Sequence, residues 1–359
     1  MSVIITLIIF TVIVVVHEGG HFWASKMCNV YIEEFAVGMG PKLFGFKKGE
    51  TLYSVRLLPI GGFCRMADEK PEDTNKIGFN DANVFQRIFI ALAGPLMNFV
   101  LALAVLTFMA MSTGVSTNIV KDVSEDSAAA EAGIQEGDRI VAINGTKINI
   151  RSDIDFYMTE NPEAKLQLTV DRNGERLKYN LEPRYDKESG RRLMGVTTLY
   201  KAPCLNMGIY SADEVEGVPK STVIDCVRDG FYNMCFLVKV TVIGVVRMLT
   251  FNVSVNEISG PIGVTTVVGD AYKETAKAGA IYTVLTMLNL GALLSANLGV
   301  INLVPIPALD GGRIFVYLIE IIRRKKLPPE KEGLINLVGF ALVMGFGIFI
   351  AVSDVLKLI

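Results

Sequence analysis

The sequence predicts a polytopic α-helical membrane protein with about four transmembrane helices. A cytoplasmic β-hairpin and an inserted extracytoplasmic domain, β-rich α+β, complete the predicted fold class. Three observations predict it. Four uncharged, mostly apolar runs are long enough to cross a bilayer, which takes about 20 residues per helix. Between the second and third runs, alternation of period two and Asn-Gly turns replace any helical pattern. The first run ends in Val16-His17-Glu18-Gly19-Gly20-His21, which puts ionisable residues at membrane depth. Such residues are costly there and mark function.

The bulk numbers agree. The chain has 359 residues, enough for two or three domains, and 51% of them are hydrophobic. A net charge of −2 is too small to suggest nucleic acid as a partner. The cysteines, Cys28, Cys64, Cys204, Cys226 and Cys235, form neither C-x-x-C pairs nor a disulfide framework, and read as ordinary small side chains. The N-terminus lacks the basic start and the small-residue cleavage site of a signal peptide. Cleavage further on would discard the only two histidines.

The first run is Met1–Val16, extended by Gly19–Ser25 around the motif. In a helix, residues four apart share a face, so His17 and His21 can reach one metal ion. Two neutral imidazoles suit zinc, and Glu18 stands beside them to handle a zinc-bound water. The next segment carries nine lysines and arginines between Lys26 and Arg87. Within it, Leu43–Phe46 and Leu52–Leu57 flank Lys47-Lys48-Gly49-Glu50 as a hairpin, ended by Gly61-Gly62.

The second run, Ile88–Gly114, contains Gly94-Pro95 and Asn98. Small residues and a proline permit close helix approach, and Asn98 is either packing glue or part of a site. Residues 1–114 thus make an N-terminal membrane part. Residues 115–183 read as a separate domain, with strands at Ile140–Ile143 and Leu166–Val170 and turns at Asn144-Gly145 and Asn173-Gly174. Residues 184–280 read as a polar linker followed by Phe231–Val246. That stretch is interrupted by Lys239 and flanked by Arg228 and Arg247. It is expected to lie on the membrane surface, with spanning as the lesser reading.

Residues 281–359 form a C-terminal membrane part with runs Ile281–Leu309 and Leu334–Ser353. A catalytic zinc normally takes three protein ligands, and with no third histidine the last must be Asp, Glu or Cys. Asp310 follows 29 uncharged residues counted from Ile281. At ~1.5 Å per residue it reaches a depth similar to that of His17, if its span enters from the same side and starts near Leu293. Pro305 and Pro307 forbid a regular helix just before it. A plain cytoplasmic helix cap is the alternative role for Asp310. Basic residues Arg323 to Lys326 lie between the last two runs, so this loop and the Lys26–Arg87 segment both read as cytoplasmic.

Ala132-Gly133-Ile134-Gln135-Glu136-Gly137-Asp138-Arg139-Ile140 with Ile143-Asn144-Gly145 resembles the core motif of a PDZ domain, which implies binding of extended peptides or C-termini. The chain as a whole resembles the site-2 protease family of intramembrane zinc metalloproteases, and most closely the bacterial group of the regulator of sigma-E protease. The likeness rests on His17-Glu18-Gly19-Gly20-His21, Gly94-Pro95 with Asn98, the PDZ motif, Ser259-Gly260-Pro261-Ile262-Gly263, and Asn302-x-x-Pro305 before Leu309-Asp310-Gly311. It implies Zn2+ held by His17, His21 and Asp310, with Glu18 as catalytic acid/base. It implies that Asn297 and Asn302 contact the substrate backbone, and that the hairpin around Lys47–Arg56 is a membrane-associated β element near the active site. The implied substrate is a transmembrane protein, an anti-sigma factor stub or a signal peptide remnant. The implied location is the bacterial cytoplasmic membrane, with the active site toward the cytoplasm and the PDZ domain outside. Some relatives carry two PDZ domains, and this chain has room for one. A transporter built on the broken third span, or a membrane-anchored PDZ scaffold, are the rival readings; neither needs a glutamate between two histidines.

Overall fold

A computed structural model describes the chain apart from residues 1, 71–73, 162–164, 187–189, 206, 208, 211–215, 251, 253–259 and 359. Ser259 of the Ser-Gly-Pro-Ile-Gly motif therefore lies outside the described residues, as does part of the expected linker. In order the elements are α1 (Ser2–Met27), β1 (Ile32–Lys48), β2 (Thr51–Met66), α2 (Val84–Thr113), β3 (Val115–Val123), α3 (Ala128–Ala132), β4 (Arg139–Ile143) and β5 (Thr146–Lys147). There follow α4 (Arg151–Glu160), β6 (Leu166–Arg172), β7 (Glu175–Leu181), β8 (Arg184–Asp186), β9 (Arg191–Leu193), β10 (Val196–Lys201), α5 (Val223–Leu249), α6 (Pro261–Ala278), α7 (Ala280–Leu303), α8 (Asp310–Arg323) and α9 (Pro329–Leu358). They form two compact units, Met1–Leu103 with Leu237–Ile359, and Ala104–Phe236.

In the first unit, α1 and α2 pack antiparallel through small residues. Ala24 shares a buried cluster with Ile90, Gly20 lies on the Ala93 carbonyl, and His17 faces Asn98. A Cβ on Gly20 would overlap that carbonyl, so glycine is what lets the backbones approach. Helix α7 runs in the same direction as α1: Gly291 lies against Ile9, and the residue that follows the break after α7, Asp310, meets His17. The expected break is present. Helix α7 stops at Leu303, Pro305 and Pro307 withhold two N–H donors, and α8 restarts at Asp310. Gly311 and Gly312 sit directly on carbonyls of Leu303, Val304 and Ile306, too close for any side chain.

The hairpin is longer than the sequence suggested. Its turn is at Gly49-Glu50, but Gly61-Gly62 lies within β2 rather than ending it. Glycines explain the difference: Gly38, Gly40 and Gly61 take positive φ, and each strand bends there. As a result Val37 pairs with both Gly62 and Val55, while Phe44 pairs with Val55 from the other side. The two strands thus make a sheet four segments wide, with Gly62–Met66 along one edge.

The second unit holds a six-stranded sheet of order β10-β3-β4-β6-β7, with β5 paired to β4. Leu168 and Val170 of β6 alternate into its core, and Ile140 and Ile143 of β4 both enter it across a register shift, against Ala129 and Ile154. The expected boundary at Pro183 is too early. Strand β10, Val196–Lys201, pairs antiparallel with β3 and belongs to the same sheet. Its polar sequence, Val-Thr-Thr-Leu-Tyr-Lys, hid it as an edge strand.

Among the described residues five helices are long and apolar enough to cross a membrane: α1, α2, α5, α7 and α9. The fifth is α5, expected as a short surface helix over Phe231–Val246. It runs from Val223 to Leu249 because Asp225 and Arg228 are accommodated in its first turns.

Candidate metal centre

The site grows from one turn of α1. Positions 17 and 21 fall on one face, and both imidazoles are buried. Their Nε2 atoms are 3.2 Å apart. Asp310 Oδ2 lies 3.1 Å from His17 Nε2 and 3.3 Å from His21 Nε2. Among the described residues this is the cluster of metal-ligand side chains that converges on a point. The triangle has a meaning. A tetrahedral zinc with bonds of about 2.0–2.1 Å spaces its ligand atoms about 3.3–3.4 Å apart. Three acceptor atoms at that spacing repel one another unless a cation lies between them, so the donor set fits the ion.

The far sides of the rings specify the tautomer. His21 Nδ1 lies 2.8 Å from the Ile90 carbonyl. A carbonyl only accepts, so the proton is on Nδ1 and the Nε2 lone pair faces the triangle. His17 Nδ1 lies 3.2 Å from the Asn98 amide through Nδ2, while the buried Asn98 Oδ1 has no partner. A His17 that keeps its Nε2 lone pair toward the triangle carries its proton on Nδ1, so the amide oxygen belongs at that contact, and turning the amide by half a rotation places it there. Oδ1 then accepts from His17 Nδ1–H, and the His17 Nε2 lone pair is freed as well. Ser295, itself fully buried, donates to the Asn98 backbone carbonyl and ties this residue to α7.

Glu18 is not part of the triangle. Its Oε2 accepts from the backbone N–H of Cys64 at 2.9 Å, on the outer edge of the bent hairpin. Gly94 lies against both imidazoles, and a Cβ there would overlap them. The structure thus brings His17, Glu18, His21 and Asp310 together. It turns Asn297 elsewhere: its Oδ1 accepts from Thr241 of α5 at 2.6 Å. Asn302 is half-buried in the last turn of α7, with no hydrogen bond to the cluster. The Ile90 carbonyl and the Cys64 amide escaped sequence reasoning because backbone groups leave no residue signature. Asn98 left one, a polar residue in the middle of an apolar run.

The peptidase family M50 model matches residues 5–346. A Clostridium perfringens protein classed provisionally as a zinc metalloprotease is 36% identical over 99% of each chain. The zinc metalloprotease RasP of Shouchella clausii is 32% identical over 98% of this chain and 97% of its own. The regulator of sigma-W protease RasP of Bacillus subtilis is 29% identical over 99% of each. That last alignment runs over 440 positions, so the Bacillus protein carries segments that this chain lacks.

Proposed function

The chain belongs to peptidase family M50 and is an intramembrane zinc metalloprotease of regulated intramembrane proteolysis, and on that premise we propose how its residues divide the work. His17, His21 and Asp310 hold the zinc; the single observation that carries this is the 3.1–3.3 Å triangle of their ligand atoms. When bound, zinc polarises the scissile carbonyl and makes a water acidic enough to attack near neutral pH. Glu18 takes the proton of the attacking water and later delivers it to the departing amine. The Cys64 N–H holds Glu18 in line for both transfers.

A helical substrate hides its amides in i→i−4 bonds and must be unwound before cleavage. The Gly62–Met66 edge is the hairpin segment that reaches Glu18, and an extended substrate pairing there regains backbone hydrogen bonds. Met39, Leu43, Phe44, Leu57 and Leu58 stand about half or more exposed on the same element, which suits contact with lipid. Asn302 holds the substrate carbonyl near the metal, and Asn297 takes substrate backbone once it leaves Thr241. The substrate is the membrane-embedded stub of an anti-sigma factor or a signal peptide remnant, a reading supported by the sigma-W regulator among the relatives.

The basic loops support a cytoplasmic active site, with the sheet domain outside. That domain is of PDZ type, and a peptide C-terminus would add to β10, the end strand of its sheet. The groove beside that strand is lined by Ile154 and Met158 of α4 and by Val196 and Thr198. Parity supports α5 on the outer surface rather than across the membrane. Helices α1 and α7 enter from the same side, so an even number of crossings must separate their starts. With α1 and α2 crossing, a third crossing by α5 would need a fourth. Helix α6, with Asp270, Lys273, Glu274 and Lys277, is not apolar enough to supply it.

Two variants test the assignment. Glu18→Gln is expected to retain stoichiometric zinc and lose proteolysis, whereas Asp310→Ala loses both. Near-wild-type cleavage by the first, or full zinc occupancy in the second, would remove those residues from their roles.

A further inference from the structure

Two of the five cysteines are not scattered in space. Cys204 and Cys226, 22 positions apart, bring their sulfurs to 3.7 Å, van der Waals contact. Cys204 is exposed on the strap that leaves β10, and Cys226 is fully buried in the first turn of α5. The approach does not depend on the sulfurs. Ala202 N–H donates to the Pro219 carbonyl at 2.9 Å, and Ser221 N–H donates back to the Ala202 carbonyl at 2.8 Å. Lys201 Nζ pairs with Asp225 at 3.0 Å, and Leu205 N–H donates to the Met111 carbonyl at 2.9 Å. Backbone and ion pair together hold both chain segments in register, one residue or a few from each thiol.

We propose that Cys204 and Cys226 are a redox modification site that closes to a disulfide by exchange with a disulfide-bearing oxidant. The exposed Cys204 thiolate attacks one sulfur of the oxidant, forming a mixed disulfide and releasing one thiol. Cys226 then attacks Cys204 Sγ, forming the protein disulfide and releasing the second thiol. The two protons lost by the cysteines end on the two released thiols, the protein pair is oxidised by two electrons, and the oxidant is reduced by two. Accessibility sets the order, since only Cys204 meets an external reagent and Cys226 only has to cross the contact already made. The product would fasten the first turn of α5 to the strap from the sheet domain, in a compartment the proposed topology places outside the cytoplasm, where disulfides persist.

The test uses the full chain in detergent, equilibrated with oxidised glutathione, acid-quenched and alkylated in denaturant before mass spectrometry. The expected product is a linked Cys204–Cys226 peptide, with neither thiol alkylated until dithiothreitol is added. Cys28 and Cys64 serve as internal references. In Cys226→Ser, Cys204 is expected to stop as the glutathione adduct. A wild-type protein that also stops at a Cys204 adduct, or that keeps both thiols alkylatable, overturns the proposal.

Discussion

Asn98 shows how much one side chain can decide. If its Oδ1 accepts from His17 Nδ1–H, an acceptor-only aspartate must preserve the arrangement. If Nδ2 donated instead, aspartate would break it. The triangle argues for the first case, because a His17 that offers its Nε2 lone pair there carries its proton on Nδ1. Asn98→Asp is therefore expected to keep near-wild-type zinc affinity, while Asn98→Leu loses about 10–100-fold, the usual effect of deleting a ligand's outer partner. Competition with a chelator reads this without any activity assay, and equal losses in the two variants would reverse the tautomer argument. At this scale the sequence was highly legible. His17, Glu18 and His21 share one helical turn, so local spacing alone specifies their faces. Asp310 was legible because a charge ending a long apolar run stands out. Asn297 was not, because a resemblance carries no information about which neighbour, here Thr241, holds an amide when no substrate does.

At the scale of elements, the helices followed from apolar run length, but their exact partners depended on long-range pairs. Arg87 at the start of α2 and Glu320 near the end of α8 form a buried pair at 2.6 Å, each side chain 4% exposed. Arg87 also stacks on the buried Tyr317 ring, and Glu320 Oε1 accepts from Leu327 N–H at 2.7 Å. In sequence these were two more charges in basic, cytoplasmic-looking segments, and nothing local joins residues 233 positions apart. Removing one partner strands the other charge, which costs about 3–5 kcal/mol. Arg87→Ala is thus expected to lower the thermal unfolding temperature of the detergent-solubilised protein far more than the double change Arg87→Met with Glu320→Leu. Equal destabilisation by both would show that shape, not the stranded charge, dominates. The hairpin was misjudged for a related reason. Glycine bends at Gly38, Gly40 and Gly61 fold each strand back on the other, and period-two alternation cannot announce a bend.

At the scale of the whole molecule, the 27 residues of α5 satisfy the length and hydropathy of a span. Surface helices also reach this size, so the side on which each neighbouring span starts decides. His17 and His21 near the end of α1 must share a depth with Asp310, just beyond α7, and that requirement makes α1 and α7 parallel. Parallel spans with α2 between them leave room for zero or two further crossings before α7, never one. Five spans in series would therefore pull the ligands to opposite faces of the membrane and abolish the site. The consequence is measurable. In a cysteine-free variant, single cysteines at Lys220 and Asn252 bracket α5, with Asn144 and Lys325 as references for the two sides. An impermeant thiol reagent applied to intact cells is expected to label positions 144, 220 and 252 and to spare 325 until the membrane is broken. Labelling at 220 with protection at 252 would mean that α5 crosses. The return crossing would then have to be made by the charged α6, and the parity argument for a surface helix would be lost.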